Sequence, residues 1–130
     1  MKTTTTWIHE HHFTSEQEGV SIALDGNRKE GMSPKALLLS GVAGCSGIDV
    51  VDILQKMRVL FTQFQVEAAA EQTEEHPRVF TEVSLVYKID CAEEELDKVR
   101  KAIDLSLEKY CGVAAMLRKN SPITYTLERL

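Results

Sequence analysis

The 130-residue chain carries 15 Lys plus Arg against 20 Asp plus Glu, a net charge of −5, with 43% apolar residues and three cysteines. That length suffices for one domain spanning residues 1–130 with its own core, and the composition is neither disordered nor fibrous. The acidic balance excludes nucleic acid as the main partner, and Cys45, Cys91 and Cys111 are too few, and lack the CxxC spacing, for a disulfide scaffold or a common zinc motif.

Met1-Lys2 followed by four threonines lacks the apolar stretch of a signal peptide, and no window holds roughly 18 uninterrupted apolar residues. A cytoplasmic protein with reduced thiols and no membrane association is therefore expected. Thr3 to Phe13, Thr-rich with Trp7, Ile8 and Phe13, reads as a strand. Glu18-Gly19 turns into a second strand over Val20 to Leu24, and Asp25-Gly26-Asn27 stops it. Ser33-Pro34 opens a long helix that runs to about Met57. Its apolar residues cover nearly every side, which predicts burial all round. Gly41, Gly44 and Gly47 form one stripe, each costing roughly 1 kcal/mol of helix propensity, and predict close approach of another backbone or helix.

Phe61–Ala70 and Val79–Ile89 alternate as two strands joined by a loop over Thr73 to Arg78. Ala92 to Tyr110 is an amphipathic helix with Leu96, Val99, Ile103, Leu107 and Tyr110 on its stripe. A short helix from Val113 to Lys119 and a strand from Ile123 to Leu127 complete the chain. The order β-β-α-β-β-α-α-β predicts an α+β domain, an antiparallel sheet wrapped on a buried central helix.

Cys45 lies inside the central helix. A small residue packed among glycines and a functional thiol both fit it. Asp49, four residues on, shares its helix face and, unpaired, would disfavour a thiolate. Cys111 stands at the start of the short helix, where backbone N–H groups favour a thiolate, with Glu108 and Lys109 within a turn. Cys91, just before three glutamates, reads as a surface boundary residue. The run His9-Glu10-His11-His12, laid on a strand, points His9 and His11 one way and Glu10 and His12 the other. It lacks a third ligand and reads as a solvated strand, so no metal site is expected. No glycine-rich phosphate loop or Ser/His/Asp signature appears, and no cofactor is implied.

Two segments, Ser33-Pro34-Lys35-Ala36-Leu37-Leu38 through Gly44-Cys45-Ser46 and Tyr110-Cys111-Gly112-Val113, resemble the two cysteine motifs of the OsmC/Ohr family. The order of elements resembles it over the whole chain. The stretches Cys45 to Val51 and Glu108 to Cys111 are closer to the YhfA-type branch than to the hydroperoxide-resistance enzymes. The resemblance implies an intertwined homodimer with central helices side by side and active sites at the interface. It also implies a redox-active pair, Cys45 as peroxidatic and Cys111 as resolving residue, that reduces an organic hydroperoxide in oxidative stress and is regenerated by a dithiol reductant. Asp49, Glu108 and Lys109 would line that site. The chain departs from the family peroxidases at Lys35, where they carry glutamate, and between Phe13 and Gly19, where they place an arginine. Arg28 or Lys35 would then supply the cation. The alternative is a non-catalytic member that binds a small apolar ligand at the dimer interface.

Overall fold

In the computed structural model, which describes Met1–Leu130, the chain forms two compact units, Met1–Leu38 and Leu39–Leu130. The first unit holds an antiparallel meander of β1 (Thr4–His9), β2 (His12–Gln17) and β3 (Val20–Asp25), in the order β1-β2-β3. The single strand expected over Thr3 to Phe13 is thus two strands. The chain reverses at Glu10-His11, with Glu10 at φ 47°. The Trp7 indole N–H donates to the Glu10 carbonyl at 2.9 Å and helps to hold that turn. No glycine or asparagine announces it, because an ordinary residue takes the left-handed position.

After β3 the chain forms a loop closed by a bridge between Leu24 and Met32. The buried Asp25 carboxylate organises it, accepting the backbone N–H groups of Asn27, Lys29 and Glu30 at 2.8, 3.3 and 3.0 Å. The Asn27 bond is the main reason that the Asp25 carboxyl is held below its ordinary value. Glu30, Lys29 and the charge of His12 add to the effect, while desolvation opposes it.

Helix α1 (Pro34–Lys56) starts in the first unit and continues into the second. The second unit has a three-stranded sheet of β4 (Phe61–Gln72), β5 (Phe80–Cys91) and β6 (Ile123–Arg129), in the order β4-β5-β6. The β4–β5 pair is the expected antiparallel hairpin. The β5–β6 pair is parallel, from Val83 against Ile123 to Ile89 against Arg129, which corrects an all-antiparallel sheet. The intervening helices make this possible, because a parallel return needs a crossover. They are α2 (Leu96–Leu105), entered through a 3₁₀ turn at Glu93–Glu95, and α3 (Gly112–Arg118).

The core joins Val42, Val50 and Leu54 of α1, Val83, Leu85, Tyr87 and Ile89 of β5, and Val99, Ala102 and Ile103 of α2. Full burial of each large aliphatic side chain contributes about 1.5–3 kcal/mol. The inward alternation of β5 continues to Cys91, which is 6% exposed and belongs to the core, not to the surface as expected.

Within this chain α1 buries only the seam Val42, Ser46, Val50 and Leu54. Burial on all sides is not met: Ile48 is 65% exposed, and an added Cβ at Gly44 would touch nothing within 4 Å. Within this chain the glycine stripe meets Val113 of helix α3 at Gly41, and the β4 side chains Phe64 and Val66 at Gly47. By length and composition α1 is apolar enough to cross a membrane, a test that core helices also pass.

Candidate functional site

The predicted helix from Ala92 to Tyr110 changes its winding at Ser106. From Ser106 to Tyr110 the backbone forms a π turn, closed by the Cys111 N–H donating to the Ser106 carbonyl at 2.7 Å. Such insertions recur at functional sites because they redirect the side chains that follow. The wider turn swings Tyr110 out to 54% exposure, off the apolar stripe where the 3.6-residue period places it. The Arg118 guanidinium donates to the Leu107 carbonyl at 2.6 Å and so fastens the turn to α3.

Cys111 ends the turn in extended conformation and caps α3. Its sulfur accepts the Ala114 N–H at 3.3 Å. The thiol is buried, with the half-buried Cys45 thiol of α1 as its neighbour. All three cysteines are free thiols. The Cys111 thiol is pushed up to about 11, chiefly by burial. Its Cys45 and Asp49 neighbours push the same way, against the Ala114 N–H. Cys111 therefore holds its proton at neutral pH, and the helix N-terminus does not deliver the thiolate expected there.

A buried polar chain runs beside the thiols. Ser106 Oγ lies 2.9 Å from Asp49 Oδ2 and 2.8 Å from Ser46 Oγ, and Ser46 Oγ lies 2.7 Å from the Tyr87 hydroxyl. Ser46, Ser106 and Tyr87 are 0% exposed. Ser106 is the donor toward both Asp49 and Ser46, so its single proton is shared between the two oxygens. Between Ser46 and Tyr87 either hydroxyl can donate. The bond to the Asp49 carboxylate is charge-assisted. The Tyr87 hydroxyl is pushed up to about 12, mainly by burial, with Asp49 among the smaller causes and the Ser46 bond opposing.

Asp49 has the partner that its position on the Cys45 face calls for, in Ser106 and not in a cation. It also borders a cleft of about 310 Å³ with Asp52, Ile53, Lys56, Leu105 and Tyr110. Glu108 and Lys109 are exposed on the π turn, and the Lys109 ammonium sits 5.3 Å from the Tyr110 ring centroid. Arg28 and Lys35 belong to the Met1–Leu38 unit, Arg28 in the loop after β3 and Lys35 in the first turn of α1. The structure thus joins Cys45, Cys111 and Asp49, and adds Ser46, Ser106 and Tyr87. A serine within the apolar repeat Val42, Ser46, Val50, Leu54 is the sequence signal that marks this chain, as is Ser106 beside Ile103 and Leu107.

On the other side of α1, an apolar groove of about 460 Å³ runs between Ala43, Gly44, Ile48 and Val51 and the β4 side chains Phe64 and Val66.

Comparison with known proteins fits this geometry. Residues 26–126 match the family model described as OsmC-like protein. The chain is 40% identical over 124 residues to Protein YhfA of Escherichia coli strain K12, covering 94% of this chain and 92% of that protein. A crystal structure of a hypothetical protein from Aquifex aeolicus VF5 superposes with a TM-score of 0.84 at 26% identity, over 99% of this chain and 96% of that one. The organic hydroperoxide resistance protein OhrB of Bacillus subtilis shares the fold, with a TM-score of 0.70 at 16% identity over 98% of this chain and 96% of that one. The chain belongs to the OsmC-like family.

Proposed function

We propose that the protein is a thiol-dependent peroxidase of the OsmC-like family that reduces an organic hydroperoxide through Cys45 and Cys111. The carrying observation is that Cys45 and Cys111 are neighbours, while the third cysteine, Cys91, stands at the end of β5. Cys111 is the buried thiol of the pair and holds its proton, and the more accessible Cys45 is assigned as the nucleophile. The Cys45 thiolate attacks a peroxide oxygen, the O–O bond breaks, and the alcohol leaves after gaining a proton. The resulting Cys45 sulfenic acid is attacked by the Cys111 sulfur. Water leaves and a disulfide forms. An external dithiol then exchanges with that disulfide, releasing both thiols and becoming a disulfide itself. The name of the Bacillus subtilis neighbour supports the substrate class.

The apolar groove at Gly44 and Ile48 supports a homodimer in which a second copy covers α1. Each chain alone leaves that helix face open.

The test is mass spectrometry of the reduced protein after a stoichiometric pulse of cumene hydroperoxide, with each cysteine mapped. The expected product is a Cys45–Cys111 disulfide with Cys91 unmodified, and Cys111→Ser should trap a sulfenic acid on Cys45. Three unmodified thiols would overturn the peroxidase reading and favour a protein that binds an apolar ligand.

A further inference from the structure

The turn at Glu10-His11 changes what the histidine run can do. His9 ends β1, His12 begins β2, and the two are register partners across the hairpin. Their rings stand edge to face with centroids 5.4 Å apart. Both approach one atom: His9 Nε2 and His12 Nδ1 each lie 2.9 Å from Glu30 Oε2. The third ligand that the sequence run lacks is supplied by the loop after β3.

The contact at His12 is not an ordinary hydrogen bond. Nδ1 is screened from solvent and makes no aligned hydrogen bond, although Oε2 is within reach. An imidazole nitrogen close to a carboxylate oxygen but pointing beside it is the arrangement of two ligands directed at a common centre. The three donor atoms lie within 4.8 Å of one another. A tetrahedral ion with bonds of about 2.0–2.2 Å needs neighbouring donors roughly 3.3–3.6 Å apart. The two imidazole–carboxylate contacts, at 2.9 Å, come within a few tenths of an ångström of that, and the two nitrogens lie within 4.8 Å of each other. Glu30 is held in place from its own backbone, because the buried Asp25 carboxylate accepts its N–H. Next to it, Gly31 packs so closely on Ala23 that an added Cβ would stand 2.6 Å from the Ala23 carbonyl carbon. His9 Nδ1 has the Glu10 carboxylate 3.9 Å away, a charge that favours the tautomer presenting Nε2 as ligand.

We propose that His9 Nε2, His12 Nδ1 and the Glu30 carboxylate form a binding site for a zinc-class divalent cation, with a fourth position open to water or a small anion. Two imidazoles and a carboxylate are a donor set suited to Zn(II) and its neighbours and poorly suited to Mg(II) or Ca(II). The half-exposed His9 and Glu30 side chains leave an entry path. The site lies wholly within the Met1–Leu38 unit and owes nothing to the thiol chemistry.

The test titrates the full-length, chelator-stripped, reduced protein with Zn(II) by calorimetry and with Co(II) by visible absorption. Expected are one ion per chain and a tetrahedral Co(II) spectrum without the charge-transfer band of thiolate ligation. ¹⁵N NMR of the histidine rings should shift His9 Nε2 and His12 Nδ1 on adding Zn(II). Glu30→Gln and His12→Ala should each weaken binding at least about tenfold. His11→Ala should not, because His11 Nδ1 bonds to Asn27 instead. Should His12→Ala fail to fold, the near-isosteric Glu30→Gln and the wild-type ring shifts still decide. Unshifted rings, unchanged binding by Glu30→Gln, or a thiolate band as the only signal would each overturn the site.

Discussion

Ser106 donates its hydroxyl proton to the Asp49 carboxylate at 2.9 Å, a bond between the start of the π turn and the middle of α1. The same Ser106 hydroxyl reaches Ser46, which bonds to the buried Tyr87 hydroxyl. The two ends of that chain should therefore respond differently to truncation. Ser106→Ala leaves both Asp49 and Ser46 without this donor, at a cost of about 1–3 kcal/mol. Tyr87→Phe removes only the partner of Ser46 and leaves the Asp49 bond in place, so its hydrogen-bond cost should be smaller, about 0.5–1.5 kcal/mol. Urea unfolding midpoints at unchanged slope measure both. Equal losses, or a larger one for Tyr87→Phe, would reject Ser106 as the central donor of the network.

The raised Cys111 thiol gives a second expectation. Its shift from 9.0 to about 11 lowers the thiolate fraction near neutrality about a hundredfold. The greater nucleophilicity of a more basic thiolate recovers about tenfold of that. Iodoacetamide should therefore label Cys111 roughly ten times more slowly than a free model thiol at pH 8, with a rate still rising above pH 10. The stability consequence has a definite sign. Groups with raised folded values keep their full contribution below their unfolded values and lose it as pH rises. Cys111 and Tyr87 together should make stability fall from about pH 9 through about pH 12, and Tyr87→Phe should flatten the upper part of that fall. An equilibrium unfolding series with pH-independent stability between 8 and 11 would contradict this.

What was legible in the sequence follows from what repeats locally. The period-2 runs of β4 and β5 and the proline start of α1 place those elements within a few residues. The cysteine motifs bring together Cys45, Cys111 and, by helical spacing, Asp49. Other features depend on contacts distant in sequence or on backbone geometry without a residue signature. Glu10 turns the chain at positive φ with no glycine, so the strand expected through His9 to His12 hides a hairpin. The π turn at Ser106 adds no unusual residue, yet it moves Tyr110 off the apolar stripe. The parallel pairing of β6 with β5 is decided by the crossover through α2 and α3, which no pattern within β6 encodes. Glu30 reaches the two histidines only because Asp25 folds the loop back.

Gly44 separates a lone chain from an assembled one. Within the chain nothing lies within 4 Å of a Cβ added there. Helix propensity alone then predicts that Gly44→Ala stabilises a monomer by up to about 1 kcal/mol. If a second copy packs on the Gly44–Ile48 face, the added methyl group instead obstructs the helix approach, and the dimer weakens. Light scattering on a dilution series should show a dimer in the wild type, a weaker one in Gly44→Ala and a monomer in Ile48→Asp, which sets a charge on the apolar groove. A monomeric wild type, or a dimer indifferent to both changes, would remove α1 from the interface.

Gly31 offers the sharpest contrast between glycines. Its Cβ would lie 2.6, 2.7 and 2.9 Å from the carbonyl carbon and oxygen of Ala23 and the amide nitrogen of Leu24, all backbone atoms that cannot swing aside. Gly31→Ala must therefore push the loop off β3, at a cost of roughly 1–3 kcal/mol as for other overpacked sites. The displacement falls on the residue next to Glu30. Divalent-cation affinity should thus drop along with stability, while Cys45 and Cys111, in the other unit, keep their oxidation pattern. Unfolding midpoints, Co(II) spectra and cysteine mapping on the same sample read the three effects separately. Unchanged stability in Gly31→Ala would mean that the loop has room that these contacts deny it.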